Sequence, residues 1–245
     1  MVKRATPTVY LAGDSTMAEN GGSSGTEGWG HYLQYSLDIP VVNEAIGGRS
    51  ARSYSVEGRF SDIEDVLQSG DFVVIEFGHN DGGSLSSSDN GRTDCPGEGD
   101  ETCESTYNGE AVTVHTYNWY LLEAARSFLD KGAQVIISSQ TPNNPWESGS
   151  FAYSGSRFVG YASNVADTLA SDDVAYVDHG QYTANIFESL GKDTVNSYFT
   201  LDHTHTQPEG ADTVAKAFVK GLACGGSALA SHVTNATDSI EGSCI

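Results

Sequence analysis

The sequence predicts an α/β fold, a doubly wound parallel sheet with helices on both faces. Three observations lead there. Apolar runs of strand length alternate with helix-like segments along the chain. The two strongest runs, Asp71–Gly78 and Ala133–Ser139, are almost continuously apolar and β-branched, as strands covered on both faces must be. No internal repeat or linker divides the 245 residues, so one domain over residues 5–245 is expected.

Five strands are expected in order: Thr8–Ala12, Val41–Ala45, Asp71–Gly78, Ala133–Ser139 and Val174–Asp178. The first helix falls in Gly28–Leu37, where Trp29, Tyr32, Leu33 and Leu37 stand at helical spacing. Phe60–Gln68 repeats the pattern with Ile63, Val66 and Leu67. Thr116–Lys131 reads as a long helix stopped by Gly132. Arg157–Ala170 and Gln181–Leu190 follow, and Pro208–Ala223 opens with proline at or near the first turn, where its missing N–H costs nothing. Gly82–Gly109 is dense in Gly, Ser, Asp and Asn and is expected to be irregular. It follows the strongest strand directly and so emerges at the sheet edge where open α/β folds bind ligands.

Twelve Lys and Arg against 33 Asp and Glu give a net charge of −21. Such a chain is ill-suited to nucleic acid or anionic membrane. No stretch approaches the roughly 20 apolar residues of a membrane helix. Cys95, Cys103, Cys224 and Cys244 suggest two local bridges by spacing, although four cysteines allow three pairings. Asn235-Ala236-Thr237 is an N-glycosylation acceptor sequence. Bridges and an acceptor site together point to a secreted, extracellular protein. Met1–Arg4 is set aside as a processing remnant, a cloning scar or an ordinary polar terminus. No exposed apolar stripe suggests a partner, so a monomer is expected.

Two short motifs at opposite ends of the chain carry the chemistry. Val9-Tyr10-Leu11-Ala12 runs into Gly13-Asp14-Ser15, which sets a serine hydroxyl at the tip of a buried strand. Asp202-His203-Thr204-His205 can supply a general base and the carboxylate that orients it. A metal site is the rival reading of the second motif, but no H-E-x-x-H accompanies it and the other histidines are scattered, so neither metal nor cofactor is expected. A phosphate loop is the rival of the first, but G-x-G-x-x-G and G-x-x-x-x-G-K-[ST] are both missing. Between the two motifs, Gly47-Gly48 can expose a backbone N–H, and Gly78-His79-Asn80-Asp81 offers an asparagine amide as an oxyanion donor. Asp81 is read as bracing its turn by accepting from nearby backbone N–H groups.

In that order the four blocks resemble the SGNH (GDSL-type) hydrolase superfamily, and more narrowly the fungal rhamnogalacturonan acetylesterases. The narrower likeness rests on Tyr10–Met17, Gly48–Ser53, Glu76–Leu85 and Ser139–Trp146. The resemblance implies a three-layer, flavodoxin-like αβα fold with a five-stranded parallel sheet. It implies Ser15 as nucleophile, His205 as base, Asp202 as its orienting carboxylate, and Ser15, Gly48 and Asn80 as the oxyanion hole. The reaction implied is deacetylation of an acetylated polysaccharide, rhamnogalacturonan of the pectin backbone, through an acetyl-enzyme. Acetylxylan or another acetylated polysaccharide is the alternative substrate, and a non-catalytic carbohydrate-binding protein the alternative class. Arg49 and Arg52 are candidates to grip a galacturonate carboxylate, against structural pairing with Glu57 or Asp62. For Trp146, a sugar-stacking platform competes with ordinary packing.

Overall fold

Five of the apolar runs become a parallel sheet in the computed structural model, which describes residues 6–86, 88–234, 240 and 242–245. Met1–Arg4 and Asn235, the candidate glycosylation site, lie outside the described residues. In chain order the elements are β1 (Val9–Gly13), α1 (Gly30–Leu33), β2 (Val41–Asn43), α2 (Ala51–Val56), α3 (Arg59–Val66), β3 (Phe72–Glu76), β4 (Thr102–Tyr107), β5 (Glu110–His115), α4 (Tyr117–Asp130), β6 (Gln134–Ser138), α5 (Arg157–Leu169), β7 (Val174–Val177), α6 (His179–Leu190), α7 (Lys192–Tyr198) and α8 (Pro208–Gly225). The large sheet runs β2-β1-β3-β6-β7 with every neighbour parallel.

The continuous apolar runs are explained by two cores. Val73 and Ile75 of β3 point to one face, against Tyr54, Phe60, Leu121, Phe128 and Phe158 of helices α2 to α5. Phe72 and Val74 point to the other, against Leu33 of α1, Phe187 of α6 and Phe218 of α8. A strand buried on both sides has no polar face to show, so the alternating pattern vanishes. The result is three layers. The strand order reverses between β1 and β3, and that reversal opens a crevice at their C-terminal ends.

One polar cluster ties these layers together. Glu76, at the end of β3 and 2% exposed, accepts from the Trp29 indole N–H (2.8 Å) and from the Ser138 hydroxyl of β6. Its Oε2 also lies 2.7 Å from His179 Nδ1, while His179 Nε2 lies 2.9 Å from the Val214 carbonyl of α8. A buried carboxyl with several partners avoids the desolvation cost that a lone one would carry.

The structure departs from the sequence expectations in three places. The segment Gly82–Gly109 is not wholly irregular, because β4 lies within it and forms an antiparallel hairpin with β5. The turn is Asn108-Gly109, both with positive φ (53° and 85°), which is the two-residue chemistry that suits a hairpin's twist. Helices α2 and α7 were not expected, since six and seven residues hold too few apolar positions to display a period. Helix α1 covers four residues rather than the ten of Gly28–Leu37. Cys95 is bonded to Cys103 and Cys224 to Cys244.

Candidate active site

Ser15 sits just past β1, in a turn fixed by its neighbours. Buried Asp14 accepts from the Thr16 N–H (2.9 Å) and hydroxyl (2.8 Å), and the Asp14 carbonyl accepts from the N–H groups of Met17 and Ala18. Burial pushes the Asp14 carboxyl up from its ordinary value, against the lowering by His79 and the Thr16 hydrogen bonds. At Gly13 a Cβ would strike Met17 and the Glu76 carbonyl, so the strand can turn this tightly beside β3 only with glycine there.

His205 reaches the same point from the far end of the chain. Ser15 Oγ and His205 Nε2 lie 2.7 Å apart, and His205 Nδ1 lies 2.8 Å from Asp202 Oδ2. Asp202 Oδ1 also accepts from the N–H groups of Thr204 and His205, each at 2.7 Å. Desolvation works against the Asp202 carboxylate, but these N–H donors and the imidazole outweigh it and hold its pKa below the ordinary value. An ionised Asp202 keeps the proton on Nδ1, which turns the Nε2 lone pair toward the serine hydroxyl.

The loop before α1 covers His205. At Gly22 a Cβ would overlap the His205 ring, so the backbone lies flat against the imidazole. The Thr26 hydroxyl shapes that loop by accepting from the N–H groups of Gly22 and Ser23, both at 3.1 Å. Glu27 and Thr206 bond each other twice, Glu27 N–H to the Thr206 carbonyl (2.9 Å) and the Thr206 hydroxyl to the Glu27 carbonyl (3.1 Å).

Gly48 and Asn80 approach Ser15 from the second and third strands. Gly48 takes φ 76°, a left-handed conformation suited to glycine. Neither the Ser15 nor the Gly48 N–H finds an acceptor among the described residues. The Asn80 amide is held at both ends: Nδ2 donates to the Arg49 carbonyl (3.0 Å), and Oδ1 accepts from Arg92 Nη1 (3.2 Å). That network orients the carboxamide and leaves one Nδ2 proton uncommitted.

Asp81 is fully buried and accepts from the Ala51 N–H (2.7 Å), so it anchors the start of α2, thirty residues away in sequence. Buried Asp94 stands beside it, and the Asp94 N–H donates to the Asp81 carbonyl (3.2 Å). Burial raises Asp81 to about 7, with the Asp14 charge adding to it. Burial and then the Asp81 charge push Asp94 well above its ordinary value.

Ser15, Gly48, Asn80 and His205 line one cavity of about 470 Å³. The side chains of Arg49, Arg52 and Trp146 are not in its lining. Arg49 pairs with Glu57 (3.1 Å), Arg52 is buried against Asp89 (2.8 Å), and Trp146 packs on Phe151 and donates to the Phe187 carbonyl. The cavity instead takes in Arg92, which sequence reasoning passed over, and His79, Asn143 and His203, which stand in the quoted motifs but were given no role there. Arg92 lies in the long loop after β3, where no periodicity marks a side chain's direction. Among the described residues no cluster of three or more His, Cys, Asp or Glu could hold a metal ion. No helix among them is long and apolar enough to cross a membrane.

Comparison with known proteins gives a family match, two relatives by sequence and two solved structures. The profile of the GDSL-like Lipase/Acylhydrolase family matches residues 9–218. The chain is 61% identical over 238 residues to a rhamnogalacturonan acetylesterase of Emericella nidulans, covering 97% of this chain and 93% of that protein. It is 30% identical over 223 residues to a probable rhamnogalacturonan acetylesterase, YesY, of Bacillus subtilis, covering 87% and 91%. Among solved structures, the YXIM protein of Bacillus subtilis superposes with a TM-score of 0.69 at 22% identity, over 89% of this chain and 56% of that one. A variant of Axe2, an acetyl xylan esterase from Geobacillus stearothermophilus, gives 0.55 at 17% identity, over 88% and 94%. At these identities the two structures speak to the fold alone.

Proposed function

The chain belongs to the GDSL-like lipase/acylhydrolase family, and from that premise we propose that it is a secreted serine esterase removing O-acetyl groups from rhamnogalacturonan. One observation carries the chemistry: Ser15 Oγ, His205 and Asp202 form a continuous line of contacts at 2.7 and 2.8 Å, opening on a cavity edged by uncommitted N–H donors. The substrate follows the relative that is 61% identical over nearly the whole chain. The two disulfides support an oxidising, extracellular setting. Residues 5–245 then act as one hydrolase domain, working as a monomer without cofactor.

In the first half-reaction Ser15 Oγ attacks the acetyl carbonyl carbon, and His205 Nε2 takes the hydroxyl proton. The carbonyl oxygen becomes an oxyanion facing the Ser15 and Gly48 N–H groups and the free proton of Asn80 Nδ2. The ester C–O bond then breaks, and the proton on Nε2 passes to the departing sugar oxygen. In the second half, water attacks the acetyl-serine and gives its proton to Nε2. Acetic acid leaves and ionises to acetate in solution, and the proton on Nε2 returns to Ser15 Oγ. Throughout, Asp202 steadies the imidazolium that forms twice per turnover.

The test is acetate release from acetylated rhamnogalacturonan and acetylated xylan side by side, with Ser15→Ala as control. Strong Ser15-dependent release from rhamnogalacturonan, with little from xylan, is the expected result. Comparable or greater release from xylan would overturn the substrate and keep the chemistry. Release that survives Ser15→Ala would overturn the serine chemistry.

A further inference from the structure

We propose that Arg92 is the specificity-determining residue that recognises the carboxylate of an acidic sugar beside the scissile acetyl group, so that acidic acetylated polysaccharides are favoured over neutral ones. The proposal deepens the esterase reading above and rests on it.

The first ground is position. Arg92 Nη1 donates to Asn80 Oδ1 (3.2 Å) and lies 3.4 Å from the Gly48 carbonyl, so the guanidinium stands next to two of the three oxyanion donors. Both recorded bonds use Nη1. Nε and Nη2 donate to no acceptor among the described residues, and the side chain faces the cavity. A guanidinium with one corner fixed and two N–H groups open can take a carboxylate in forked fashion.

The second ground is charge. Arg49, Arg52, Arg59 and Arg126 each pair with a carboxylate, and the Arg157 guanidinium lies over the Phe158 ring. Arg92 forms no ion pair among the described residues, in a chain with 33 acidic side chains to choose from. Among the described residues, no acid lines this cavity. A protein of net charge −21 would repel a polyuronate, and one uncompensated cation in an acid-free cavity supplies the local exception.

The third ground is rigidity. The loop that carries Arg92 is fixed from several sides. Asn90 Oδ1 accepts from the N–H groups of Arg92 (2.9 Å) and Thr93 (3.1 Å), and Asp89 Oδ1 accepts from Gly91 (2.8 Å). Asp89 is itself gripped by Arg52 through two hydrogen bonds of 2.9 and 2.8 Å, between side chains that are 0% and 4% exposed. The Arg52 guanidinium also donates to the Thr93 carbonyl (2.8 Å). Arg52 thus builds the platform from which Arg92 reaches the cavity. A charge pre-placed in this way loses little conformational freedom when substrate arrives.

The experiment compares kcat/KM for acetylated rhamnogalacturonan with that for the same polymer after its uronate carboxyls are reduced to alcohols, in the unaltered enzyme, Arg92→Gln and Arg92→Lys. Arg92→Gln also removes a partner of Asn80, so both substrates slow. The expected signature is the ratio: the preference for the acidic polymer falls about 10- to 100-fold in Arg92→Gln, and less in Arg92→Lys, which keeps the charge. Equal losses on both polymers, leaving the ratio unchanged, overturn this proposal and leave the esterase reading standing. Failure of the unaltered enzyme to release acetate from rhamnogalacturonan overturns the substrate reading and this proposal with it.

Discussion

In the mechanism proposed above, Asn80 is a side chain prepared for a charge that exists only in the transition state. Its oxygen is occupied by Arg92 and one of its protons by the Arg49 carbonyl, so the remaining proton has a fixed direction. Removing one oxyanion donor typically slows turnover about 10²- to 10³-fold. Asn80→Ala is therefore expected to lose kcat in that range with KM little changed, and Ser15→Ala to lose far more; equal, mild losses in both would remove these roles. Gly22 makes a second prediction. Gly22→Ala forces the His205 ring aside, and a displacement near 1 Å costs roughly 10²-fold in rate. Steady-state kinetics and a melting curve on the same sample check it, since lost activity with an unchanged melting temperature separates misplacement from unfolding. That Ser15, Gly48, Asn80, Asp202 and His205 come together was legible because each stands in a short pattern with a chemical reason. Gly22 and Arg92 were not, because their relation to the site exists only through the path of a loop.

Among the elements, the coupling of α2 to the loop after β3 depends on two buried carboxyls. Asp81 holds the first N–H of α2, Asp94 lies against it, and both are raised above ordinary values by burial. An acid whose folded pKa is raised contributes stability that is complete below its unfolded pKa and is lost as pH rises through the folded one. Asp81 moves from 3.8 to about 7, so the fold is expected to weaken as pH climbs across that window. Asp94→Asn removes one carboxyl from the pair and should flatten the dependence. Melting temperatures between about pH 4 and pH 8 test this, and a variant that follows the unaltered protein in parallel would refute it. All five strands of the large sheet were legible to within one or two residues: burial on both faces leaves β1, β3 and β6 with nearly unbroken apolar runs, and the half-buried edge strands β2 and β7 still carry short ones. The hairpin escaped notice because β4 is mostly exposed and polar (Thr102, Glu104, Ser105, Thr106), although Asn108-Gly109 was a readable turn signal.

For the whole molecule, the net charge of −21 acts at a distance that no single contact does. A polyanionic substrate approaching at neutral pH and low salt meets a repulsive field, screened over about 8 Å at physiological ionic strength. The KM for rhamnogalacturonan is thus expected to fall as salt is raised from very low to moderate concentration at pH 7, while the KM for a small neutral acetate ester stays level. A parallel change in both would show that salt acts on the protein rather than on the encounter.

The cluster around Glu76 has a consequence for how this sequence can change. The Trp29 indole, the Ser138 hydroxyl and the His179 ring converge on one carboxyl from three separate parts of the chain. Losing any one of them leaves a buried oxygen short of a partner, so each single replacement is costly. Once the carboxyl itself is gone, the other losses count for less, and effects of combined substitutions fall short of their sum. In a saturation library the four positions would behave as one inherited unit: viable substitutions would surface as matched sets, and a search that changes one site at a time would judge each position immutable.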